Sequence, residues 1–259
     1  MCSLTSERKA TDMLADEGNT TAHLGTLTDD LLLPKEWISS LIAFIAGALP
    51  AWRDDPRRAE ETAENQLTKQ LCGRLNSLCR HTPGWNFLQF RREEPDESDG
   101  RRAIDLVASP AGTIIWISGR SYDDFQYLLP IECKRLPTPE GKDRDPREYV
   151  ITGSSSTGGI QRFKAGHHGD QHERAAMIGY VQANDVTHWH KTVGTWIDDL
   201  ATNSVTGWSV ADKLTLASHD KTTRVATLAS THDRTKGITS NIQIDHLWVE
   251  MCSTRDQST

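Results

Sequence analysis

The chain has 259 residues, 36% hydrophobic and 25% charged, which is enough to bury a sizeable core and excludes a largely disordered chain. Its 29 basic and 36 acidic residues leave a formal net charge of -7, so an overall electrostatic pull on nucleic acid is excluded and any grip must come from local charge or a partner. Five cysteines (Cys2, Cys72, Cys79, Cys133 and Cys252), odd in number and without paired spacing, exclude a disulfide framework and fit free thiols in a reducing cytoplasm.

In chain order, residues 1–30 are polar and mixed in charge and read as a flexible arm, residues 31–252 as a single domain, and 253–259 as a frayed tail. Trp37 to Leu49 is an apolar helix, too short to cross a bilayer and interrupted by Ser39 and Ser40, so it belongs to a core or an interface. With no secretory signal beside it, a membrane partner is not expected and a cytoplasmic location is. The segment from Arg57 to Arg80 has helical periodicity, with Leu67, Leu71, Leu75 and Leu78 forming an apolar stripe that Glu64 continues one turn earlier. A carboxylate on an inward stripe is costly to desolvate unless it meets a cation or a hydrogen-bond network. Glu61, one turn further back, is the alternative.

Arg102 to Ala108 reads as a strand, with Ile104, Leu106 and Ala108 on one face and Asp105 on the other. Thr113 to Ile117 is strand-like and bounded by Pro110, Gly112 and Gly119, which suggests an inserted hairpin. The apolar run Tyr127 to Ile131 reads as a buried strand ending in Ile131-Glu132-Cys133-Lys134. Alternation puts Glu132 and Lys134 on the same face and turns the Cys133 thiol to the other. Because the run is apolar on both faces it should be central, and a charged pair ending a central strand of an α/β sheet marks a site.

A charged loop, Pro137 to Arg147, leads to Gly153 through Gly159, where two glycines lie at phosphate-loop spacing, but Gly159-Ile160 stands where a lysine and a hydroxyl are needed. The following helix, Ile160 to Ala165, offers Gln161, Arg162 and Lys164 near its start as contacts for a phosphate. His167, His168 and His172 have no nearby cysteine and lack zinc-site spacing. Ala175 to Val181 is a further buried strand. Val186 to Leu200 is an amphipathic helix carrying Trp189, Val193, Trp196, Ile197 and Leu200, and two more strands fall around Thr223 to Leu228 and Ile242 to Met251. The fold expected is α/β: a mixed central β-sheet flanked by helices on both faces, with an N-terminal helical extension.

The order of a helix with Glu64, a strand with Asp105, then Glu132-Cys133-Lys134 resembles the restriction-endonuclease-like superfamily, whose signature is Pro-Asp, a variable gap, then Asp or Glu, any residue, Lys, written PD-(D/E)XK. Here Ile104 replaces the proline and the gap is long enough to hold the hairpin. The resemblance covers the middle third of the chain. It implies a restriction-endonuclease-like core and a Mg²⁺-dependent endonuclease, with Mn²⁺ as substitute. Asp105, Glu132 and the Cys133 carbonyl would hold the metal, Lys134 would orient the attacking water or stabilise the transition state, and Glu64 would complete the shell. The substrate implied is nucleic acid, DNA rather than RNA, and the setting implied is bacterial restriction or antiphage defence. Basic residues gather nearby at Arg91, Arg92, Arg101, Arg102, Arg135, Lys142, Arg144 and Arg147, and Arg135 joins Gln161, Arg162 and Lys164 as a nucleic-acid contact. The acidic balance invites self-association or a regulatory partner subunit. Two other readings stand beside this one: a nuclease-like module that binds nucleic acid or protein without cutting, and an interaction subunit of a larger complex. A serine hydrolase lacks support, since no Gly-x-Ser-x-Gly elbow is present.

Overall fold

A computed structural model describes residues 34–251, apart from 98, 118, 143, 154–156 and 237–238. The expected arm, 1–30, and tail, 253–259, lie outside the described residues. Two helices open the described chain, α1 (Pro34–Arg53) and α2 (Glu64–His81). In α1, Leu41, Ile45, Leu49 and Trp52 recur at three- and four-residue steps and are buried. In α2 the stripe is Leu67, Leu71 and Leu75, while Leu78 is only partly buried. The expected start of this helix at Arg57 is corrected to Glu64. Arg57 to Thr62 carries four charges and no large apolar side chain, so it has no face to bury and stays outside the helix.

Nine strands follow: β1 (Leu88–Pro95), β2 (Ala103–Pro110), β3 (Ile115–Ile117), β4 (Arg120–Tyr122), β5 (Leu129–Leu136), β6 (Arg174–Val181), β7 (Thr215–Asp220), β8 (Val225–Asp233) and β9 (Asn241–Glu250). Helix α3 (Gly159–Lys164) lies between β5 and β6, and α4 (Val186–Thr202) between β6 and β7. Seven strands form one sheet in the order β1-β2-β5-β6-β9-β8-β7, and β3 and β4 form the expected hairpin apart from it. The inner trio β5, β6 and β9 is parallel and the outer pairings are antiparallel, so the sheet is mixed.

Alternation along the central strands builds two cores. Ile131 and Cys133 of β5, Ile178 and Tyr180 of β6, and Leu247 and Val249 of β9 pack with α1 and α2. Leu136, Met177, Ile244 and Trp248 pack on the opposite face with α3 and α4. Helices therefore cover both faces, and α1 belongs to the inner layer instead of being appended to it. Among the described residues, no helix is long and apolar enough to cross a membrane.

Candidate active site

The sheet divides where the charged residues meet. β2 pairs with β5 through Ala108↔Leu129, Val107↔Pro130 and Leu106↔Ile131, and the ladder ends there. Beyond it β2 continues with β1 as far as Ala103, and β5 continues with β6 as far as Leu136. Asp105 sits in the resulting fork, where its Oδ2 accepts the Cys133 N–H at 2.9 Å in place of the missing ladder bond.

Lys134 fills the centre. Its side chain is 6% exposed, and Nζ lies 3.2 Å from Glu64 Oε1, 3.5 Å from Glu132 Oε2, 3.6 Å from Asp105 Oδ2 and 3.0 Å from the Cys133 carbonyl oxygen. The four oxygens expected from sequence to surround a metal thus converge on one ammonium. Glu64, at the first position of α2, also accepts the Arg135 N–H at 3.1 Å, so Glu64 and not Glu61 is the helix carboxylate of the cluster. Glu61 lies before the helix.

Glu132 is fully buried. Arg162 donates from Nη1 to its Oε2 at 3.1 Å, and His168 Nδ1 lies 2.6 Å from its Oε1. Burial opposes its negative charge, but Lys134, His168 and Arg162 outweigh that cost and hold the carboxyl below the usual range. For Lys134, burial likewise opposes the charge and is outweighed by Asp105, Glu132 and Glu64, so the ammonium holds its proton more firmly than a free lysine. Asp105 behaves oppositely: burial and then the negative charge of Glu132 lift it to about 7 against the pull of Lys134. The Cys133 thiol turns to the other face, between Thr68 and Tyr180, and burial raises its pKa.

Glu64 and Asp105, 28% and 29% exposed, open onto a cavity of about 120 Å³ that Asn65, Thr68, Arg92 and Glu93 complete. Among the described residues no group of three or more His, Cys, Asp or Glu side chains is arranged to hold a metal on its own, because Lys134 stands between the carboxylates. The donor set still suits a hard cation: three carboxylates and a carbonyl gathered around one positive charge.

The expected nucleic-acid contacts separate. Arg135 lies at the site, with Nε bonded to Gln182. Arg162 points inward to Glu132. Gln161 is partly buried, and its Oε1 accepts the backbone N–H groups of Thr152 and Gly158, which ties it to the loop before α3. Lys164 is corrected: it is buried in an ion pair with Asp212 and cannot also meet a phosphate. His168, considered in the sequence only as a zinc ligand, is a buried neighbour of Glu132 that the sequence did not reveal. A His-His pair between two glycines gave no sign of a buried carboxylate partner.

A second buried polar chain went unseen. Asp212 Oδ1 meets His232 Nδ1 at 2.6 Å, His232 Nε2 meets Ser230 Oγ at 2.7 Å, Ser230 Oγ meets His246 Nε2 at 2.8 Å, and Tyr149 Oη links His246 Nδ1 to Trp248 Nε1 at 2.8 Å each. The order Asp, His, Ser resembles a nucleophile relay, but Ser230 is 5% exposed and its hydroxyl is shared with His246, so the chain is an internal brace. No protein-family model, curated protein or solved structure matches the chain.

Proposed function

We propose that the chain is a Mg²⁺-dependent endonuclease, with Mn²⁺ as substitute, that hydrolyses phosphodiester bonds, of DNA in preference to RNA. One observation carries this reading: Glu64, Asp105, Glu132 and the Cys133 carbonyl, from three elements distant in sequence, face a single positive charge at a fork in the sheet beside an open cavity. The order and types of these residues resemble PD-(D/E)XK nucleases, and their convergence supports a shared task.

Asp105, Glu132 and the Cys133 carbonyl are the donors that would hold the cation, with Glu64 at the cavity rim. When bound, a divalent cation polarises a phosphoryl oxygen and lowers the pKa of a coordinated water. Lys134, kept protonated by its carboxylate neighbours, acts as a donor to charge developing on the phosphate and not as a base. Arg162 and His168 hold Glu132 so that Lys134 stays at the fork. Burial of Glu132 and Lys134 strengthens the interactions these two make with each other and with Arg162 and His168.

A non-cleaving binding module is the second reading, favoured by the engagement of both Glu132 oxygens and by the ammonium standing between the carboxylates. Purified protein incubated with supercoiled plasmid, linear duplex, single strands and RNA, with Mg²⁺, Mn²⁺ or EDTA, separates the two. Divalent-dependent cutting that Asp105→Ala, Glu132→Ala and Lys134→Ala each abolish is expected. Equal activity in all three variants would remove the assignment, and metal-independent binding without turnover would favour the module.

A further inference from the structure

The cavity at the fork is lined by three carboxylates, Glu64, Glu93 and Asp105, with Asn65, Thr68 and a single basic side chain, Arg92. An anionic substrate approaching Asp105 meets acidic or neutral side chains in this lining except at that guanidinium. The way Arg92 is held suggests that it is kept for this purpose.

Arg92 and Glu93 lie on β1 against β2. The register is the same on either side, Arg92↔Leu106 and Glu94↔Ile104, yet Glu93 and Asp105, which face each other at this level, drop out of the ladder. Glu93 has a φ of +53°, in the left-handed region that a side-chain-bearing residue avoids. Two carboxylates directly opposite on neighbouring strands repel. The kink turns Glu93 aside, and its Oε1 accepts from Arg92 Nη2 at 3.0 Å and from Asn65 Nδ2 at 2.6 Å, while Asn65 Oδ1 accepts from the same Arg92 Nη2 at 2.8 Å. The bonds made by Arg92 therefore all leave from one nitrogen. Its Nε is buried without a partner among the described residues, while Nη1 makes no hydrogen bond among them, so the guanidinium keeps a free donor at Nη1, and displacing Glu93 would free Nη2 beside it to complete a fork suited to two oxygens of one anion. Glu93, 59% exposed, is an exchangeable partner.

We propose that Arg92 is the phosphate-contacting residue of this cavity, positioning a phosphodiester of a nucleic acid beside Asp105, and that Glu93 occupies the guanidinium until a substrate phosphate displaces it. The proposal rests on the nuclease reading above. It adds a residue outside the Asp-Glu-Lys signature and explains how an acidic chain can accept a polyanion at an acidic cavity.

The test is fluorescence anisotropy of a labelled 20-base-pair duplex, with Ca²⁺ replacing Mg²⁺ to limit turnover, on the full chain and on Arg92→Met, Arg92→Lys and Glu93→Gln, over a range of salt. Arg92→Met is expected to weaken binding about tenfold or more and to lower the slope of log affinity against log salt by about 0.9, one phosphate contact. Arg92→Lys keeps the charge but loses the fork, so it should recover the slope while binding less tightly than the wild type. Glu93→Gln should tighten binding by about two- to fivefold. An unchanged affinity and slope in Arg92→Met, or weaker binding in Glu93→Gln, overturns the assignment while leaving the nuclease reading intact. Failure of the wild type to bind duplex, single strand or RNA overturns both.

Discussion

Replacing Lys134 by Met tests the charge balance on which the site depends. The ammonium is 6% exposed and serves three carboxylates and a carbonyl. Methionine keeps most of the volume, so the change removes charge and not packing. Breaking a buried ion pair by removing one partner costs about 3–5 kcal/mol. Glu132 would keep Arg162 and His168, and Glu64 and Asp105 open to solvent, so the lower end, about 3 kcal/mol, applies. For a chain of this size that corresponds to a fall in Tm of roughly 6–12 °C. The loss must also depend on pH. Asp105 has its folded pKa raised to about 7, so the folded state holds a proton the unfolded state has released, and stability falls as pH rises from the ordinary carboxylate range through 7. Lys134 holds that pKa down, and without it the fall extends above 7. The variant should therefore lose more, relative to wild type, at pH 8 than at pH 6. Urea unfolding followed by tryptophan fluorescence at both pH values measures this, and taking the difference between the two proteins cancels the histidines remote from the fork. A loss under about 1 kcal/mol, or one equal at the two pH values, would refute the account of Lys134 as neutraliser of the fork.

Glu64→Gln should lower cleavage less than Glu132→Ala does, and Glu61→Gln should be nearly silent in the same plasmid assay, because only Glu64 reaches Lys134. Ser230→Ala removes the hydroxyl between His232 and His246, and its urea midpoint should report a loss of about 1–3 kcal/mol for each ring nitrogen left unsatisfied. In Gly179→Ala the new methyl would stand 2.5 Å from Trp248 Cδ1 in the buried core, so overpacking of about 1–3 kcal/mol is expected, with the loss of the Trp248 to Tyr149 hydrogen bond visible as a shift in tryptophan emission. Burial holds His246 and His232 below their ordinary pKa, so they contribute stability above pH 6.5 that is lost as pH falls. Each should steepen the acid limb by up to about 1.4 kcal/mol per pH unit in a urea series from pH 7 to 5.

The parts of the fold legible in the sequence are those whose burial is written in local pattern. β5 is apolar on both faces and proves central, bonded to β2 on one side and β6 on the other. α1, α2 and α4 follow from their stripes. The two edge strands escaped for the opposite reason. β1 ends in Arg-Arg-Glu-Glu-Pro, and β7, Thr-Leu-Ala-Ser-His-Asp, is almost wholly exposed; edge strands carry charge, because an apolar edge would recruit other chains, or lie open to solvent, and either feature erases the alternation by which strands are recognised. α3 misled in another way. Lys164 reads as a surface residue near a helix terminus, and its buried partner, Asp212, lies in a turn much later in the chain.

The same logic explains why the carboxylates and lysine of the site could be read while their supports could not. Glu64, Asp105, Glu132 and Lys134 interrupt apolar patterns, and an interruption is visible locally. A carboxylate as buried as Glu132 cannot remain ionised on the strength of Lys134 alone, since that ammonium is shared with Glu64 and Asp105. Further positive or hydrogen-donating groups had to be present in the fold. Their type was therefore foreseeable from the burial of Glu132, but their positions were not, because α3 and the loop before β6 deliver Arg162 and His168 through tertiary packing. The role proposed for Arg92 follows the same rule: Lys134, Arg162 and His168 are committed to the inner carboxylates, whereas Arg92, the one basic side chain lining the cavity, bonds through Nη2 alone.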